Sequence, residues 1–302
     1  MFPIADSAIK HVDPFHLTEI RYIFATFGFL ALLWAFEGRG ALRLQGRGRE
    51  LFLFGSAGIA GFNLLAFAGL EHTTPEHAAL IVATSPLITL LATAALAKRA
   101  PSRTTLFFVL LALAGVLVVI GRGDPAAVFN GGINGGDLLV LGGTASFVVY
   151  TLGARRFTDY SALRYTALSA SLGTITVVAV TELATVAGWY GAPSLSDVAA
   201  IWWQLLYVIV VGALAAVLCW NEGVRRLGAP NAALFMNLVP VVAFVIAIVR
   251  GYHPDAAELG GAALTVAALI GANLAARRQE TRRPVRAAWA PTRSAKPAKS
   301  RA

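Results

Sequence analysis

Residues 75–97 read PEHAALIVATSPLITLLATAALA, an apolar run of helical length with a proline, Pro86, near its middle. A bilayer core takes about 20 mainly apolar residues per helix, so the run predicts a membrane span. Pro86 removes one backbone donor and crowds the carbonyl four residues earlier, at Val82. A carbonyl freed at bilayer depth is tolerated only where protein or a wet cavity satisfies it. Thr84 and Ser85, both polar, stand beside the proline, and the kink is read with them as a pocket wall.

The same run recurs 154 residues later. At that shift Ala78-Ala79-Leu80 falls on Ala232-Ala233-Leu234 and Pro86 falls on Pro240, next to Asn237. Gly58 and Gly69 meet Gly212 and Gly223 at the same shift. Near the start of each half, Arg21-Tyr22 finds Arg164-Tyr165 at 143 and Phe2 finds Phe147 at 145, which implies loop insertions. An internal repeat fixes architecture before any motif does. Repeat one is read over about 1–121 and repeat two over about 137–276, with five helices each. Five is odd, so the second half enters the membrane with opposite orientation. Inverted repeats with a substrate site at their interface characterise secondary transporters. A structural bundle has no need of two matched kinks, and Pro86 and Pro240 are read as hinges.

Working outward, nine complete spans are legible: 15–36, 50–70, 75–97, 104–120, 137–155, 162–188, 203–221, 229–249 and 259–276. The stretch 1–12 is too short to cross and reads as the second half of a tenth helix. Its Met1-Phe2-Pro3 start lacks the basic opening of a secretory signal. The fold expected is therefore all-α, with ten transmembrane helices, the first truncated, in a single domain over 1–276. Basic and non-basic gaps alternate: Arg39 to Arg49, then none, Lys98 to Arg103, and onward to Arg225 and Arg226. The positive-inside rule then puts both termini in the cytoplasm, in an inner-membrane protein. The tail, 277–302, is basic and rich in Pro and Ala and should be disordered.

Composition agrees. Apolar residues make up 57% and charged residues 14%, far from the balance of a soluble domain. The net charge of +9 does not imply nucleic acid, because nine of the 25 basic residues lie in the tail and most others in short gaps. The one cysteine, Cys219, lies in an apolar run and excludes an intrachain disulfide. No zinc-peptidase motif or phosphate-binding loop is present, so no cofactor is implied. Glu71-His72 and Glu76-His77 flank Pro75 at a loop and read as interfacial polar residues rather than a metal site.

Ionisable groups at membrane depth mark function. Glu19 and Arg21 are placed within one turn of a helix end, and Glu222 pairs with Arg225 and Arg226 along its helix. The cavity is thus expected to be neutral and partly aromatic. Its lining is read as Asn63, Phe67, His77, Thr84, Ser85, Tyr150, Trp220, Asn221, Phe235 and Asn237. Aromatic faces bury apolar solute area, while amides and hydroxyls orient carboxylate or ammonium groups. Each such residue also has a plain alternative, an interhelical hydrogen bond or ordinary packing.

Asp13-Pro14-Phe15 leading into Arg21-Tyr22, the echo at Arg164-Tyr165, and the two segments Thr84-Ser85-Pro86-Leu87 and Leu238-Val239-Pro240-Val241 carry a resemblance. Over residues 1 to about 276 the chain resembles the drug/metabolite transporter superfamily, in its EamA-type ten-helix form, and is most similar to aromatic amino acid exporters of the YddG type. The Trp-Gly-type start of the first helix in that family is absent here. The resemblance implies export of amino acids, aromatic or hydrophobic ones included, by alternating access. Export of drugs or other metabolites and a non-transport membrane subunit are the alternatives; an enzyme lacks the clustered ionisable groups it would need.

Overall fold

The computed structural model describes residues 7–9, 11–73, 75–121, 123–126, 134–249, 251, 253 and 255–281. Its helices are α1 (Pro14–Glu37), α2 (Gly48–Leu70), α3 (Pro75–Ala83), α4 (Ser85–Leu96), α5 (Arg103–Ile120), α6 (Gly135–Gly153), α7 (Ala162–Val186), α8 (Leu195–Ala200), α9 (Trp202–Leu227), α10 (Ala229–Leu234), α11 (Leu238–Val249) and α12 (Ala256–Thr281). Among the described residues there is no strand. Seven helical stretches are long and apolar enough to cross a membrane: α1, α2, Ala78–Leu96 across α3 and α4, α5, Gly135–Arg156, α7 and α9. Ala256–Ala272, within α12, is a shorter apolar helix. The described spans bear out the multi-pass reading. The helix start expected before Val12 shows only as residues 7–9, where Ala8 and Val12 pack on Leu17, Ile201 and Leu205.

Polar caps decide where the helices begin. Asp13 accepts from the backbone N–H of Phe15 and His16 at 2.9 and 3.1 Å, with Pro14 pre-set in the first turn of α1. Ser161 caps α7 on the N–H of Arg164 at 2.9 Å, and Asn134 forms a capping box with Asp137 at α6. Aligned on their caps, α1 and α7 match at a shift of 148, not 143. Arg21 stands eight residues past Asp13, whereas Arg164 is only three past Ser161. The repeated Arg-Tyr pair therefore occupies two different depths.

Four places interrupt regular helix. Ser56–Gly61 in α2 and Val208–Ala215 in α9 are π-helical. Thr84 breaks α3 from α4, and Phe235–Asn237 forms a 3₁₀ turn between α10 and α11. At the shift of 154, Val208–Ala215 falls on 54–61, over the first π segment, and Phe235–Asn237 falls on 81–83, beside Thr84. At Pro86 the freed carbonyl is satisfied locally: Ser85 Oγ donates to Val82 O, and Thr84 Oγ1 donates to Ile81 O at 2.6 Å.

Of the four buried apolar clusters among the described residues, two are largest. The larger joins α1, α2, α6 and α7 around Phe29, Leu33, Ile59, Tyr150 and Tyr165, with Ala213 of α9. The smaller joins α5, α10 and α12 around Val109, Ala112, Leu234 and Leu269, with Leu87 and Leu90 of α4 against it. Small residues bring backbones into contact in both, as expected where lipid supplies no hydrophobic drive between helices. A Cβ on Gly55 of α2 would lie 2.0 Å from the Ser169 carbonyl of α7, and one on Gly115 of α5 would lie 2.7 Å from the Gly261 carbonyl of α12. Outward, Phe24, Phe27, Leu110, Ile175 and Val245 are exposed, a surface suited to acyl chains.

Candidate binding site between the helices

The basic-loop ends of α6, α7 and α9 hold a tight aromatic and amide network. Tyr150 is fully buried and stacks on Tyr165 with centroids 5.3 Å apart. Tyr165 Oη donates to the Tyr150 carbonyl at 2.9 Å. Asn221 spends both amide hydrogens, donating to Tyr150 Oη at 2.6 Å and Thr166 Oγ1 at 2.7 Å. Its buried Oδ1 has no hydrogen-bond partner. Trp220 donates to Thr151 Oγ1 at 3.2 Å and lies 5.3 Å from the Phe147 ring. Asn221 and Tyr165 form the floor of a cavity of about 280 Å³, with Arg155, Thr158, Ser161 and Arg225 around its mouth. Glu222 pairs with Arg225 and Arg226 at 2.8 and 2.5 Å, as the i,i+3 and i,i+4 spacing predicts.

A second polar layer lies toward the opposite ends of α1 and α2. Arg21 is 3% exposed and about 12 Å along α1 from its cap. It donates to Asn63 Oδ1 at 2.5 Å, and its guanidinium carbon lies 4.7 Å from the Tyr22 ring centroid and 5.8 Å from that of Phe67. Asn63 in turn donates to Ile59 O at 2.7 Å and Tyr22 Oη at 3.3 Å. This corrects the expectation that Arg21 lies within one turn of a helix end. The cap at Asp13 sets α1 so that Arg21 falls more than two turns inside. At the same end, Tyr190 Oη donates to Glu71 at 2.7 Å and its ring packs on Phe15 at 4.8 Å. Burial first, then the Glu71 carboxylate beside it, raises the Tyr190 phenol above its ordinary pKa.

The third group gathers at the interrupted helices. Phe235–Asn237 packs against both α3 and α4, bringing the two breaks together. Asn237 is 0% exposed, and among the described residues neither its Nδ2 nor its Oδ1 has a hydrogen-bond partner. Ser85 is buried and Thr84 half-buried. Phe235 diverges from this group: it is 47% exposed and lines an apolar crevice with Leu238, Leu269 and Ile270. The side chains of His77 and Pro240 lie outside the described residues.

The sequence of the EamA-like transporter family matches residues 1–121 and 134–274. This chain belongs to that family. An uncharacterized transporter of Bacillus subtilis, YrdR, is 30% identical over 93% of this chain and 88% of its own length. A second one from the same organism, YyaM, is 27% identical over 90% and 88%. The aromatic amino acid exporter YddG of Ancylobacter novellus is 24% identical over 91% and 93%. One solved structure, titled only as the crystal structure of a protein, superposes with a TM-score of 0.73 at 24% identity, covering 92% of this chain and 93% of that one. The EamA-like protein is thus a membrane transporter and not an enzyme.

For such a transporter the residues sort by partner. In this EamA-like chain Asn63 and Phe67 join through Arg21, Tyr150 joins Asn221, and Thr84 and Ser85 meet the turn that carries Asn237. Sequence reading did not pick out Arg21 as a cation buried well inside its helix. The available signal was its lack of an acid three or four residues away on its own helix: Leu17, Thr18, Phe24 and Ala25 occupy those positions. Placing an arginine in a span costs about 2.5–3.5 kcal/mol on insertion scales. Among the described residues no carboxylate forms an ion pair with it. Among the described residues Asn63 gives it a hydrogen bond and the Tyr22 and Phe67 faces lie beside it, and none of these carries the opposite charge.

Proposed function

We propose that the chain exports amino acids, aromatic and hydrophobic ones included, by alternating access between two inverted five-helix repeats. The observation that carries this reading is the pairing of helix interruptions at repeat-related positions, with the unpartnered Asn237 at one of them. Breaks inside a membrane are stable only where protein or a wet cavity satisfies the backbone, which is where substrate sites form in inverted-repeat transporters. Pro86 and Pro240 act as hinges beside these breaks. The two matched stretches, 1–121 and 134–274, nearly coincide with the two repeats and support them. The ten-helix count adds a first helix ending near Val12 and counts α10 with α11 as one span. The alternating basic loops support an inner-membrane location with cytoplasmic termini and a cytoplasmic tail over 277–302.

The substrate class draws on the exporter YddG being among the relatives and on the aromatic character of the Tyr150, Tyr165, Phe147 and Trp220 cluster. Counterflow uptake of a labelled amino acid panel into proteoliposomes tests it. Uptake of aromatic or hydrophobic amino acids, lost in Asn237→Ala or Trp220→Ala, is the expected result. If no amino acid is taken up, the assignment passes to export of drugs or other metabolites on the same fold.

A further inference from the structure

We propose that Arg21 recognises the substrate carboxylate, with Asn63 as the positioning residue that holds its guanidinium and Phe67 as the apolar wall beside it. The proposal rests on the amino-acid reading above and names the group in the chain that reads the acid. A guanidinium offers five donors in a planar fork suited to a carboxylate. Here one terminal nitrogen is committed to Asn63 Oδ1, and among the described residues the buried Nε has no partner. Asn63 is itself pinned by Ile59 O and Tyr22 Oη, so its oxygen faces Arg21 in one orientation.

The location fits a binding role. The π segment Ser56–Gly61 ends one residue before Phe62 and offsets the helix just ahead of Asn63, and single-turn π distortions recur at functional sites. The Phe15–Tyr190–Glu71 contact closes the near end of α1 and α2, so Arg21 is covered from one side in this conformation. An amino acid whose carboxylate meets Arg21 would place its side chain along Phe67. The competing account makes Arg21 a structural tie between α1 and α2, held by Asn63 and the two rings.

The test is competition for labelled phenylalanine uptake into proteoliposomes by unlabelled phenylalanine and by its carboxamide, which keeps the ammonium and ring and loses the negative charge. In the unmodified protein the carboxamide should compete at least about tenfold more weakly. In Arg21→Gln the half-saturating phenylalanine concentration should rise about tenfold and the preference for acid over amide should vanish, while Arg21→Lys keeps part of both. Equal competition by acid and amide in the unmodified protein overturns the proposal without needing any variant to fold. So does an Arg21→Gln protein that transports less but keeps the preference. Uptake of no amino acid at all in the unmodified protein overturns the amino-acid reading, and this proposal with it.

Discussion

Asn221 and Asn237 carry the same amide in opposite circumstances. Asn221 donates two short hydrogen bonds to Tyr150 and Thr166, whereas Asn237 is also buried and donates none among the described residues. A buried amide without partners destabilises a fold by about 1–3 kcal/mol, so removing it should cost little stability. Asn237→Leu is expected to leave the thermal unfolding midpoint in detergent unchanged or higher while cutting uptake at least about tenfold. Asn221→Ala should behave differently, lowering stability by about 1–3 kcal/mol because two buried acceptors lose their donor. A fall in midpoint for the Asn237 variant equal to that for Asn221 would show that Asn237 is bonded and structural. Arg21 belongs at this scale too: its charge was visible in the sequence, but its depth followed only from the cap at Asp13.

Helix crossings are set by backbone contact. Gly55 and Gly173 touch across α2 and α7, where each would drive a Cβ into the other's neighbourhood, at 2.0 Å from Ser169 O and 2.4 Å from Gly55 O. Gly55→Ala should therefore separate the two helices and lower stability by about 1–3 kcal/mol, read as a drop in unfolding midpoint. Gly223 meets nothing within 4 Å, and Gly223→Ala should be neutral or slightly stabilising in the same assay. The repeat pairs Gly69 with Gly223, yet only Gly69 lies against a neighbouring backbone, the Gly136 carbonyl 2.7 Å from an added Cβ. Repeat symmetry in sequence thus does not imply equal packing. The interruption at Thr84 was legible because proline chemistry is local. The π segments were not, since nothing in Ser56–Gly61 or Val208–Ala215 forbids regular helix and their offset comes from neighbouring helices.

At the scale of the molecule, contacts near the basic loops tie α1–α2 to α6–α7. Arg47 pairs with Asp159 at 3.0 Å, donates to the Arg156 carbonyl at 2.5 Å and covers the Phe157 ring at 3.8 Å. Arg164 donates to the Arg43 carbonyl at 2.8 Å. The exposed pairs contribute about 0–1 kcal/mol each. Orientation has a direct check, because the chain has a single cysteine, Cys219. In a Cys219→Ser background, Gly191→Cys should react with a membrane-impermeant maleimide in intact cells, and Arg99→Cys only after permeabilisation. The reverse pattern would invert the proposed topology.

The membrane class, seven of the spans and the matched prolines were determined by the sequence itself, because lipid demands long apolar runs and proline acts within one helical turn. Composition also excluded a soluble fold, since 57% apolar residues cannot be buried in a chain of this size. What the tertiary structure alone decided is which polar groups meet. Arg21 and Asn63 are 42 residues apart, Asn221 and Tyr150 are 71 apart, and no period or spacing links them. Such pairs arise where glycine contacts let helices cross closely, and the crossing, not the local sequence, selects the partners.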